Sequence, residues 1–240
     1  MAAVATFHLF RWRNYIGMLT ALAFDRVRYR RSGELLFVRV LGTGKGASTA
    51  PGTEWGRTAL FCVWQSESAA DDFIRTQQRR AGLRESWHVK LRGAGGHGSW
   101  RGVDVPNLLR RDQSDSSGDS ATQSAGDTDT PLAIITRADV RPRAWRTFSA
   151  AARVVDQELH ASDGLVAVVG IGEAPILRLG TFSVWRNRDA MSGFANHRPD
   201  HVAVVRRTRT EQWYGEEMFA RFIPYWSTGT WDARDPLRTS

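Results

Sequence analysis

The chain has 240 residues and a formal net charge of +8, from 33 Lys plus Arg against 25 Asp plus Glu. Apolar residues make up 42% and charged residues 24%, the balance of a folded globular protein, which excludes a chain disordered throughout. The single cysteine, Cys62, excludes an intrachain disulfide and any multi-cysteine zinc or iron–sulfur cage; no run nears the roughly 18 apolar residues of a membrane-spanning helix, and the cytoplasm is the expected compartment.

Val4 to Trp12 reads as a first strand. Tyr15 to Phe24 is a fairly apolar run behind Arg11 and Arg13, as in an export signal. Gly17 and Thr20 interrupt it, however, and Asp25-Arg26-Val27-Arg28-Tyr29-Arg30-Arg31 stands where a small-residue cleavage site would follow. The run is therefore read as part of the fold. The arginines after it suit anionic lipid head groups as well as a solvated face, so a peripheral membrane contact is one expectation. Elsewhere the arginines are scattered and no nucleic-acid motif accompanies them, so no nucleic-acid partner is expected. Gly42-Thr-Gly44-Lys45-Gly46 lacks the spacing of a phosphate loop, and its later counterpart Gly170-Ile-Gly172-Glu173 carries a carboxylate that would repel phosphate. Both are expected to be tight strand-ending turns.

Residues 1–111 carry a net charge of +10, residues 112–130 of −5 and residues 131–240 of +3. The middle segment has no aromatic and only Ala as an apolar residue, which predicts a disordered acidic, Ser-rich linker. The flanking halves resemble one another. Arg57 to Trp64 aligns with Arg178 to Trp185, Phe73 with Phe194, Glu85-Ser-Trp87 with Glu211-Gln-Trp213, and Ser99-Trp100 with Thr230-Trp231.

In the second half, Leu132 to Val140 predicts a strand and Trp145 to His160 a helix, with Phe148, Ala151, Ala152, Val155 and Leu159 on one face. Strands follow over Leu165 to Val169 and Leu179 to Trp185, then helical pieces over Asp189 to Asn196 and His201 to Arg209. The last strand runs over Gln212 to Phe222, with Glu217, Phe219 and Arg221 on one face and Met218, Ala220 and Phe222 on the other. This order is that of a ferredoxin-like unit, whose open sheet needs covering. The expected fold is α+β: two ferredoxin-like repeats, residues 1–111 and 131–240, packed as a pseudo-symmetric dimeric α+β barrel.

The six histidines are His8, His88, His97, His160, His197 and His201. His197 and His201 are four apart, but Pro199 breaks a helix between them. Asp200 can cap a new helix on which His201, Val204, Val205 and Thr208 share one face. An imidazole among valines is either a buried core histidine or an axial ligand beneath a flat apolar cofactor. At the offset of 121, Arg80 takes the place of His201, so a ligand there means one cofactor per chain. Cys62 and Ser183 match as small packed residues between Phe and Val. Trp185, Trp213, Trp226 and Trp231 serve as core filling or as the wall of an apolar cavity. Glu217 and Arg221 read as an ion pair before an acid–base couple.

Several of these runs resemble the spheroidene monooxygenase family: Gly170-Ile-Gly172-Glu173-Ala-Pro175, Thr181-Phe182-Ser183-Val-Trp185, Met191-Ser-Gly-Phe194-Ala195 with His201, Trp213-Tyr214-Gly-Glu216-Glu217, and Gly229-Thr-Trp231-Asp. Thr136-Arg137-Ala138 with Arg141-Pro142-Arg143 matches the start of that block, while the acidic linker and Arg178 depart from the pattern. The resemblance implies a haem-dependent monooxygenase acting on an acyclic carotenoid. It implies haem b on a histidine of the C-terminal repeat, as in the similar chlorite dismutases and aldoxime dehydratases. The matching histidine is His201, which serves as the iron ligand, with Val204, Val205 and Trp185 about the cofactor. Arg178 and Ser183 are the expected groups on the opposite side, where a cation or hydroxyl stabilises charge on oxygen. No flavin or nicotinamide motif is visible, so an external electron donor is implied beside the apolar substrate. A homo-oligomer is also compatible with this reading. The alternatives are a haem-dependent dehydratase of an N–O substrate and a haem-free ligand-binding barrel.

Overall fold

A computed structural model describes residues 3–29, 33–44, 53–110, 130–173, 178–197, 204, 206–208 and 210–238. The first half comprises β1 (Val4–Trp12), α1 (Tyr15–Tyr29), β2 (Leu35–Gly44), β3 (Thr53–Trp64), α2 (Glu67–Gln78), β4 (Leu83–Gly98) and a short α3 (Val105–Arg110). The second comprises β5 (Leu132–Val140), a 3₁₀ turn at Pro142–Ala144, α4 (Trp145–His160), β6 (Leu165–Glu173), β7 (Arg178–Trp185), α5 (Arg188–His197) and β8 (Tyr214–Gly229). Residues 204, 206–208 and 210 are also helical. Asn14, Ser66 and Asn187 cap α1, α2 and α5, each side chain accepting from the amide three residues on, at 2.9, 3.3 and 2.9 Å. Of the 112–130 segment only Thr130 is described.

The eight strands close into one antiparallel barrel in the order β1-β3-β2-β6-β7-β5-β8-β4. The closing seam between β2 and β6 is short, three residue pairs long, while the pairs of β2 with β3 and of β6 with β7 run the length of their strands. The two glycine segments expected as turns are instead the junction between halves. Gly42 pairs with Gly172, Thr43 with Ile171 and Gly44 with Gly170, so each segment completes its strand against the other. β8 also runs past Phe222 to Gly229. Pro224, which lacks an amide proton, is absorbed by a register shift opposite Lys90 and Leu91 rather than ending the strand.

Inward-facing side chains from both halves fill the barrel. Phe7 stacks on Phe182 with centroids 3.8 Å apart, and Phe61 meets Phe222 at 5.8 Å. The repeated Gly-Ser/Thr-Trp pattern plugs this core. Gly98 and Gly229 end β4 and β8 at φ of 85° and 82°, where a Cβ would lie 2.1 and 2.0 Å from the carbonyls of Glu217 and Ser86. The turns they permit seat Trp100 and Trp231 in the core, against Phe61 and Trp87 respectively. α1, α2, α4 and α5 pack on the outer face of the sheet, whereas Val105 and Leu109 of α3 join the core cluster inside the barrel. No described helix is long and apolar enough to cross a membrane.

Candidate functional site

Strand register makes the two halves directly comparable. β1 pairs with β3 and β4 as β5 pairs with β7 and β8. His8 therefore corresponds to Thr136, Phe10 to Ala138, Leu60 to Thr181, Cys62 to Ser183 and His88 to Phe219. Glu85 corresponds to Glu216, not to Glu211 as the sequence alignment had it, because the β4 and β8 registers fix the match. Phe73 and Phe194 do correspond, lying 4.8 and 5.6 Å from Trp64 and Trp185.

In the first half the space between sheet and helices is full. Phe10, Trp12, Leu60, Cys62 and Trp64 pack under Met18, Ala21 and Ala70. His8 and His88 are buried there with Nδ1 atoms 2.9 Å apart, and their Nε2 atoms face the hydroxyls of Thr6 and Ser86 at 2.8 and 3.1 Å. Burial lowers His8 well below its ordinary pKa, with the neighbouring His88 adding to the effect, and burial lowers His88 to about 4. Burial pushes the Cys62 thiol up, which makes it an inert packed group as expected. Arg80, at the position corresponding to His201 in the sequence repeat, ties α1 down through hydrogen bonds of 2.6 and 2.9 Å to Asp25.

The second half carries smaller side chains at these positions, and a cavity of about 330 Å³ opens in the same place. Its floor is the outer face of β5, β7 and β8: Ile134, Thr136, Ala138, Thr181, Ser183 and Phe219. Phe148, Ala152, Val155 and Leu159 of α4 line the facing side, the apolar helix face expected from sequence. Met191 and Phe194 of α5 and the helical residues Val204 and Thr208 complete the wall. This volume and lining are those of a site for a sizeable apolar ligand. The sequence did not single out Thr136, Thr181, His97 or Asp156 as lining residues; aligning Val4–Trp12 with Leu132–Val140 for side-chain size would have found the first.

Ser183, Trp185 and Val204 come together at this cavity, and the Ser183 hydroxyl accepts from Trp185 Nε1 at 3.0 Å. Tyr214 also lines it; burial, reinforced by Glu217, pushes its phenol up, so it stays a proton donor at neutral pH. Arg178 stands apart. Its Nε lies 3.6 Å from Asp139 and it does not line the cavity, because its position on β7 alternates with those of Leu179 and Thr181, which do. Asp139 also pairs with Arg137, which in turn binds Glu216. Desolvation alone would raise Glu216, but hydrogen bonds from the Gly102 and Arg101 amides, Ser99 and Arg137 hold it down to about 2. This is a structural network at the barrel rim. Glu217 lines the cavity, whereas Arg221 lies beside Gly95, so they are not the ion pair expected from alternation. His201 and Val205 lie outside the described residues. Among the described residues no group of three or more His, Cys, Asp or Glu is placed to hold a metal ion.

The lining suits a flat apolar macrocycle such as haem: one side is a sheet face, the other is helical, and aliphatic and aromatic side chains dominate both. The fold has solved counterparts. An aldoxime dehydratase determined with butyraldoxime matches with a TM-score of 0.56 at 12% identity, over 93% of this chain and 80% of that one. A further aldoxime dehydratase matches with a TM-score of 0.54, also at 12% identity, over 92% of this chain and 81% of that one. At that identity the likeness is one of fold. No family model matches the chain. Among curated proteins, the spheroidene monooxygenase of Rhodobacter capsulatus is 26% identical across 98% of this chain and 95% of its own length. That of Rubrivivax gelatinosus is 32% identical across 82% of this chain and 72% of its own. With sequence likeness of that extent to whole proteins of one kind, the chain belongs to the spheroidene monooxygenase family.

Proposed function

We propose that this chain is a haem-dependent monooxygenase that inserts one oxygen atom into a long apolar, carotenoid-like substrate. The observation that carries the reading is the apolar cavity on the outer face of the second half's sheet, in a member of a family whose curated relatives are named for oxygenating spheroidene. His201 is the residue proposed to hold the iron: the sequence pattern gives it one helical face with Val204 and Thr208, and those two line the cavity. Val205 and Trp185 join Val204 about the group.

When bound, haem supplies dioxygen activation, with two electrons from an external donor. The balance is one substrate C–H, one dioxygen, two electrons and two protons giving one C–OH and one water. The chain's own residues bind and orient. Phe148, Leu159, Met191 and Phe194 hold the apolar substrate and exclude water. Ser183 accepts from Trp185, which leaves its own O–H to donate into the cavity, and the Tyr214 phenol is a second donor. Arg178, engaged with Asp139 at the rim, has no part in this reading.

Isotope labelling tests it. With haem-loaded protein, reductant and labelled dioxygen, the carotenoid product is expected to carry the label, and omission of the reductant to stop its formation. Turnover of an aldoxime by the reduced protein without dioxygen, and none of a carotenoid with it, would replace this reading by dehydration.

A further inference from the structure

α1 is apolar on two opposite sides. Met18, Ala21 and Tyr29 face the sheet and are buried. Tyr15, Ile16, Leu19, Phe24 and Val27 face away and are 56% to 76% exposed. These are five of the nine large apolar side chains exposed among the described residues, gathered on one 15-residue helix. An ordinary surface helix is polar on this side. Ile16, Leu19, Thr20, Ala23, Phe24 and Val27 fall at i, i+3, i+4, i+7, i+8 and i+11, which makes one continuous stripe.

The charges are arranged with the same bias. Arg26 and Arg28, both exposed, flank the stripe in the last turn. The helix has one acidic residue, Asp25, which is buried on the inner side and held by Arg80 at 2.6 Å. The outer side therefore presents hydrophobic surface and positive charge with no carboxylate of the helix among them.

We propose that α1 is an interfacial helix that docks the protein on a bilayer bearing anionic lipid. It lies in the plane of the membrane, with Ile16, Leu19, Phe24 and Val27 at the boundary of head groups and acyl chains and Arg26 and Arg28 against lipid phosphates. A second copy of this chain is a poorer match. Two such faces would bring arginines to a contact to which neither helix brings a free carboxylate. Anionic lipid neutralises those arginines, and it accommodates a convex apolar ridge without needing a shaped groove. α1 covers the first half of the barrel and the cavity belongs to the second, so this contact stands independently of the haem reading.

Co-sedimentation of the full chain with vesicles tests it. Binding to equal parts phosphatidylcholine and phosphatidylglycerol is expected to be about tenfold or more tighter than to phosphatidylcholine alone, and to weaken with added salt. Ile16→Ser with Phe24→Ser, and separately Arg26→Gln with Arg28→Gln, are each expected to weaken it by about tenfold. All four side chains are exposed, and circular dichroism checks that the variants remain folded. Absence of vesicle binding, equal binding to both vesicle types, or variants that bind like wild type overturn the proposal. So does a dimer in light scattering that Phe24→Ser dissolves while vesicles leave it intact, which would assign the face to a second copy.

Discussion

Ala152→Trp is expected to lower product formation by about a hundredfold or more while leaving the protein folded. Ala152 projects from α4 into the cavity opposite Thr136 and Thr181, and it is only partly buried because open space lies before it. An indole there occupies the volume that the ligands need. The new contacts are with Phe148, Leu159 and their neighbours, so apolar atoms enter apolar space and the melting temperature stays the same or rises. Activity and stability should therefore separate, which a merely destabilising substitution would not produce. Val154→Trp, two residues on at an exposed position, is the control and should turn over like wild type. Equal activity in both variants would place the reaction somewhere other than this cavity.

Stability is expected to fall as pH drops from about 6.5 toward 4, because of the histidine pair buried in the first half. In the unfolded chain each imidazole takes up a proton near pH 6.5; in the folded protein His88 does so only near pH 4, and burial holds His8 well below its ordinary value too. Between those values the unfolded state binds more protons, so acid favours unfolding across that window. His88 alone contributes about 3 kcal/mol over the interval. The pair is compatible with two neutral rings, since one Nδ1 must donate and the other accept across 2.9 Å. Urea unfolding at pH 7 and pH 4.5 measures the loss. A double variant, His8→Leu with His88→Phe, removes both polar partners and should flatten the dependence relative to wild type. Parallel curves for the two proteins would show that the loss comes from carboxylates instead.

The sequence disclosed what depends on local period and on repeated pattern. The helix expected over Trp145 to His160 has those bounds, because its apolar face recurs at helical spacing and Pro142 opens it. The alternation read in Gln212 to Phe222 separates Met218, Ala220 and Phe222 inside the barrel from Glu217 and Phe219 at the cavity. What it hid depends on pairing across distance. Gly42–Gly44 and Gly170–Gly172 look like turns in isolation, since nothing local shows that each is the other's strand partner. His8 and His88 are 80 positions apart, and only the β1–β4 register brings them opposite. The cavity itself is a difference between halves. It follows from Ala138 where the first half has Phe10 and Thr181 where it has Leu60, a comparison that requires the register of both sheets.

The same comparison explains why one ligand per chain is proposed. The first half spends its outer face on packing, with Arg80 bound to Asp25 at the position that the repeat gives to His201. The most direct measurement is a haem titration followed by absorption, with wild type beside His201→Ala, His197→Ala and His97→Ala. One equivalent of haem per chain and a single Soret band are expected in wild type, His197→Ala and His97→Ala, with that band shifted or lost in His201→Ala. A wild-type spectrum retained by His201→Ala, or loss of the band in His97→Ala instead, would contradict the proposed ligand.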